Sequence, residues 1–129
     1  FAPYKWVISM NSAHGKEKRK HPRVEVKWPV TMMTNDGDAN GIVENISSGG
    51  AYIRTRKLLS NNDLIVMGVL GLKRELLWIG AEVVRTDIAT TSKPEQAAVG
   101  IGVRFTTVSE EDYQFLKNVV SERLNLATP

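Results

Sequence analysis

Apolar and polar residues alternate along most of this chain with a period of two. In "AAVGIGVRF", residues 97–105, Val99, Ile101, Val103 and Phe105 share one face, while Gly100, Gly102 and Arg104 share the other. Period two is the signature of a half-buried strand. The pattern recurs from about Glu75 to Arg85, with Leu77, Ile79, Ala81 and Val83 on one side. In "AYIRTR", residues 51–56, Ala51, Ile53 and Thr55 oppose Tyr52, Arg54 and Arg56. "VEVKWPVTMMT", residues 24–34, is rich in strand formers, and Pro29 predicts an edge or a bulge there. "IVENI" (42–46) and the apolar run "LIVMGVLGL" (64–72) bring the total to about six strands.

Turn chemistry separates these runs. "NDGDANG" (35–41) reads as a turn containing Asp-Gly, "SSGG" (47–50) as a hairpin connection, "LSNND" (59–63) as a turn and "TDIATTSKPEQ" (86–96) as a polar loop. The period changes near the end. Ser109 is a good N-cap, Glu110, Glu111 and Asp112 suit the positive end of a helix, and Tyr113, Leu116, Val120 and Leu124 follow at steps of three and four, with Val119 beside them. Short strands followed by one amphipathic helix predict a mainly β fold: a closed or nearly closed antiparallel barrel with the helix packed against it.

Composition supports a single globular unit. The chain has 129 residues, 42% of them apolar, enough for a core. No apolar run approaches the ~18 residues of a membrane span, so no transmembrane segment is expected. Cysteine is absent, which excludes disulfides and thiolate chemistry and fits a cytoplasmic setting. The first nine residues, Phe1 to Ser9, are too short for a signal peptide's apolar region with its flanks. Two origins stay open for them: the tail of an upstream element, or vector-derived residues ahead of a start at Met10. Residues 1–15 are read as an extension or linker, followed by a domain over 16–126 with an arm at 16–23, a barrel at 24–108 and a helix at 110–125.

The net charge of +3 is unevenly spread. Residues 16–27 carry Lys16, Lys18, Arg19, Lys20, Arg23 and Lys27 against Glu17 and Glu25, a balance of +4, whereas the rest has 11 basic and 12 acidic residues. Basicity confined to one arm points to a localised anionic partner more than to a broad nucleic-acid surface, and a solvated tail is the plain alternative. Pro22 breaks any helix through the arm and pushes His21 toward an extended conformation. Arg19 and Arg23 then sit on a loop that can wrap a ligand. Each guanidinium is a planar fork suited to phosphate oxygens and to the O6/N7 edge of guanine. Downstream, Asn45 offers donors and an acceptor to a base edge, Ser47 and Ser48 add hydroxyls, and Gly49 and Gly50 allow positive φ and close approach of a ligand. An ordinary polar turn satisfying its own backbone fits the same residues.

Arg-x-x-x-Arg at "RKHPR" (19–23) followed by Asn-x-Ser-x-x-Gly at "NISSGG" (45–50) resembles the signature of the PilZ domain family. "AEVVRT" (81–86) and "GIGVRFTTVSEEDYQFLKNVV" (100–120) are similar to that family's later strands and terminal helix, so the likeness covers roughly 16–125. The resemblance implies a six-stranded antiparallel β-barrel with a C-terminal helix and a non-enzymatic receptor for cyclic di-GMP, a bacterial second messenger. It implies contacts from Arg19, Arg23, Asn45, Ser47 and Gly50, with secondary ones from Lys18, Lys20, Ser48 and Gly49, no other cofactor, and a downstream protein partner. Asn45 stands where Asp is also common in the family, and Lys18 precedes the first Arg, which bears on whether one ligand or a stacked pair binds.

Other chemistries find little support. His14 and His21 have no second ligand at metal spacing. Ser47 is outside any Gly-x-Ser-x-Gly elbow and has no downstream His to activate it. Gly100-Ile101-Gly102 lies in a strand and lacks the rest of a nucleotide fold. The small face of Ala98, Gly100 and Gly102 predicts close packing. Trp6, Trp28 and Trp78 read as core or partly buried surface, and Arg54, Arg56 and Lys57 as either a wider positive field or a solvated strand edge. Two alternatives to the receptor remain: a PilZ-like interaction module that binds no nucleotide, and, less favoured by the near-neutral body, a nucleic-acid binder.

Overall fold

The structure, a computed structural model, describes residues 8–9, 22–71, 75–88 and 98–127. Six strands form the body: β2 (Val24–Thr34), β3 (Gly37–Ile46), β4 (Gly50–Thr55), β5 (Leu64–Leu70), β6 (Leu76–Ile88) and β7 (Val99–Val108). All pair antiparallel in the order β7-β4-β3-β2-β5-β6, and β6 pairs back onto β7. That last ladder closes the sheet, and closure removes the edges on which other chains could template. A two-residue strand β1 (Ile8–Ser9) adds to β7 at Thr107 and Val108, beyond the end of the β4 ladder. The expected six-stranded barrel with one C-terminal helix, α1 (Glu110–Ala127), is therefore what the chain forms.

Alternation explains the interior. Along β2, Val24, Val26, Trp28, Val30 and Met32 point inward and the residues between them outward. They meet Val43, Ile53, Met67, Ile79, Ile101, Val103 and Phe105 from the other strands in one core. The α1 cap forms as its sequence predicts: Ser109 Oγ accepts the Asp112 N–H at 3.1 Å, and the Tyr113 N–H donates to the Ser109 carbonyl at 2.9 Å. Leu116 and Val120 are buried in the core, each contributing about 1.5–3 kcal/mol. The helix makes its contacts chiefly with β2.

Three local expectations change. The turn read at 35–41 shrinks to Asn35 and Asp36, because Gly37 already pairs with Thr34 and Asp38 to Gly41 continue the ladder. Thr34 Oγ1 closes this tight turn, donating to the Gly37 carbonyl and accepting the Asp36 N–H. Gly37 has φ +108°, a value glycine tolerates without strain. Pro29 is not on an edge, since the closed barrel has none there. It pairs with Ile42 just after an irregularity between Glu25 and Trp28, and just outside the Val30–Met33 stretch that pairs with β5. Thr86 to Ile88, read as loop, extend β6 and pair with Ile101 to Val99. Trp28 lies in the core, while Trp78 is 41% exposed.

Candidate functional site

The "NISSGG" segment ends β3, turns, and begins β4. A register shift between Val43 and Asn45 lets both Glu44 and Asn45 leave the interior before Ile46 returns to it. Asn45 thus reaches the outer face, opposite Glu25 on β2 and Tyr52 on β4. Arg23, just ahead of β2, donates from Nη1 to Asn45 Oδ1 at 3.3 Å. The structure therefore brings the second arginine of the arm and the first residue of the downstream motif together across 22 residues of chain.

Ser47 and Gly50 sit differently. Ser47 is 3% exposed. Its Oγ accepts the Gly49 and Gly50 N–H groups, both at 3.0 Å, and donates to the Gly50 carbonyl at 3.3 Å; its own N–H also donates to that carbonyl at 2.9 Å. A hydroxyl has one donor and two acceptor sites, so the turn takes up all of them. A Cβ on Gly50 would fall 2.5 Å from the Val103 carbonyl oxygen, and its φ is not in the left-handed region. The close approach that selects glycine here is made by β7. Phe105 N–H adds a further tie to that strand, donating to the Gly49 carbonyl at 2.9 Å. Arg19, Lys18, Lys20, His14, His21 and Trp6 lie outside the described residues.

Next to Asn45 an open groove of about 530 Å³ is lined by Glu25, Val26, Lys27, Glu44, Asn45 and Arg123. Arg54 grips Glu44 from the neighbouring strand with two bonds, Nε–Oε2 at 2.7 Å and Nη2–Oε1 at 3.1 Å. That hydrogen bond holds the Glu44 carboxyl below the ordinary carboxylate range. Arg54 is thereby an ion-pair partner and not a contribution to the positive field. Arg123, from α1, donates to the Glu25 carbonyl at 2.7 Å.

A second cluster on the outer face was only half legible. Tyr52 lies across Gly100, where a Cβ would fall 1.8 Å from the phenol oxygen. The phenol donates to Asp87 Oδ2 at 2.9 Å, Arg85 Nε donates to the same oxygen at 3.2 Å, and the Arg85 guanidinium lies 5.4 Å from the Tyr52 ring centroid. Burial, then the bond to Asp87, raises the Tyr52 phenol above its ordinary value. Close packing at the small face is thus realised, and its occupant is an aromatic ring next to Asn45. Among the described residues no group of three His, Asp or Glu side chains could hold a metal ion, and no helix is long and apolar enough to cross a membrane.

The chain belongs to the PilZ domain family, whose sequence model matches residues 17–122. No curated protein sequence matches it. Similar solved structures include the PilZ domain of YcgR from Escherichia coli with c-di-GMP, 12% identical, with a TM-score of 0.69 over 86% of this chain and 95% of that one. Bacillus subtilis MotI/DgrA, described as an inhibitor of motility, is 16% identical with a TM-score of 0.71 over 88% of this chain and 54% of that one. The K. pneumonia MrkH–c-di-GMP complex is 16% identical with a TM-score of 0.70, over 86% of this chain and 54% of that one. The chain thus spans about half the length of MotI and MrkH. At these identities the likeness shows the fold.

Proposed function

We propose that this domain is a non-enzymatic receptor for cyclic di-GMP, and that the ligand orders the Arg19–Arg23 arm against the barrel. The observation that carries the reading is the 3.3 Å bond from Arg23 to Asn45, which joins the two halves of the motif at the mouth of a groove. Family membership and the c-di-GMP complexes of similar folds support it. In this reading Arg19 and Arg23 take guanine edges and phosphates, with Lys18 and Lys20 adding cationic contacts from the same arm. Asn45 takes the base edge on the barrel face. Ser47 and Gly50 act by holding the corner that presents Asn45, with Ser48 and Gly49 at its rim. An arm that closes on a ligand shifts the population of surfaces shown to a partner. The proposed setting is the cytoplasm of a bacterium, with a downstream protein as the reader of the ordered arm.

Isothermal titration with cyclic di-GMP tests this directly. Binding by the wild-type chain, lost in Arg19→Ala and Arg23→Ala, is the expected outcome, and the same titration reports whether one or two ligands bind. Absence of heat with correctly folded wild-type protein would refute it. One observation favours the nucleotide-independent alternative: the outer face of β5 and β6 exposes Leu64, Val66, Leu76 and Trp78, a surface suited to another protein. Partner capture from solution that is indifferent to cyclic di-GMP would support that alternative.

A further inference from the structure

The groove beside Asn45 contains a cation that neither half of the motif supplies. Resting on the receptor reading, we infer that Arg123 of α1 is a phosphate contact of the ligand site, so that the ligand lies between Arg23 at the head of β2 and the C-terminal helix. Three segments converge there. Glu25 is the cross-strand partner of Asn45, and Arg123 Nη1 is anchored on the Glu25 carbonyl at 2.7 Å across 98 residues of chain. Arg23, two residues before Glu25, is bonded to Asn45. Both guanidiniums therefore flank the same cross-strand pair.

Charge and capacity favour an anion in this place. Of the two groove carboxylates, Glu44 is neutralised by its two-bond pair with Arg54. Among the described residues that line the groove, Lys27 and Arg123 then stand against Glu25, leaving a net positive lining. A guanidinium has five N–H donors, and the Glu25 carbonyl engages one of its terminal nitrogens. The rest of the fork suits a phosphodiester oxygen, which a planar donor pair binds better than a point charge does. The groove's volume of about 530 Å³ lies in the range of small-ligand sites. Because Arg123 belongs to α1, ligand seated here also stiffens the end of the helix.

The test is titration of the full 129-residue chain with cyclic di-GMP, comparing wild type, Arg123→Gln and Arg123→Lys. Arg123→Gln should weaken binding roughly ten- to hundredfold, the scale of a lost charged hydrogen bond, and Arg123→Lys should fall between. Wild-type binding matched by Arg123→Gln overturns the inference and leaves the receptor reading standing. A wild-type chain that does not bind overturns both. Hydrogen exchange on the unmutated protein decides the matter should Arg123→Gln fail to fold. Ligand must then protect backbone amides near 120–124 as well as those near 45–50, and protection confined to 45–50 overturns the inference.

Discussion

Two neighbouring regions of the molecule use their polar residues in opposite ways. At the Ser47–Gly50 corner the hydroxyl and N–H of Ser47 bond within the turn, and the Val103 carbonyl fills the space above Gly50. In the groove two or three residues away, Asn45, Lys27 and Arg123 face open volume. A six-residue motif that is continuous in the chain is therefore split into a buried part that sets geometry and an open residue, Asn45, that meets the ligand in the proposed reading. Substitutions should divide along the same line, stability on one side and affinity on the other.

The largest expected effect is at Gly50. Gly50→Ala puts a methyl 2.5 Å from a backbone oxygen of β7. Prying those strands apart should cost about 3 kcal/mol, read as a lower urea midpoint at unchanged slope. Ser47→Ala comes next. It leaves two turn N–H groups without their acceptor, for a loss of about 2 kcal/mol by the same measurement. Asn45→Ala belongs to the other region. Its stability should stay within about 0.5 kcal/mol of wild type, while cyclic di-GMP affinity drops about tenfold, near the low end of what one good base contact discriminates. If Asn45→Ala lost as much stability as Ser47→Ala, the division into two halves would fail.

The smallest effect is electrostatic. Arg54 lowers the Glu44 carboxyl in the folded state, so this pair adds stability above the unfolded carboxylate value. That contribution fades as pH falls through the lower folded value, in the region below about pH 4. The pair is partly exposed, so its worth is only about 0.5 kcal/mol. Glu44→Gln should remove that share of the acid-side loss in a pH series of melts. Since Arg54 would then lose its carboxylate partner, the variant's ligand affinity should hold or rise slightly.

Much of the barrel was legible from local pattern. Ala51, Ile53 and Thr55 face inward as their alternation predicts, as do Leu77, Ile79, Ala81 and Val83. The Ser109 cap forms where its chemistry says it should. Of the candidate site, the Arg23–Asn45 proximity was anticipated by the paired motif. Arg123 was not, because nothing in its own neighbourhood distinguishes it from any solvated helix cation. The approach of β7 to Gly50 was not legible, because a glycine in sequence does not say what comes close to it. The small face at Gly100 did carry a usable signal: alternation turns Tyr52 outward on the strand that pairs with β7, and a ring of that size needs a gap beneath it.

By itself the sequence determined the strands, the helix and the arm's charge, because period, capping and Coulomb balance act over a few residues. Closure of β6 onto β7 and the register shift that turns Asn45 outward were decided only by tertiary structure. So were the carbonyl of Val103 above Gly50 and the reach of Arg123 to Glu25. These depend on which distant backbones lie side by side, and a chain specifies that only through the packing of its whole core.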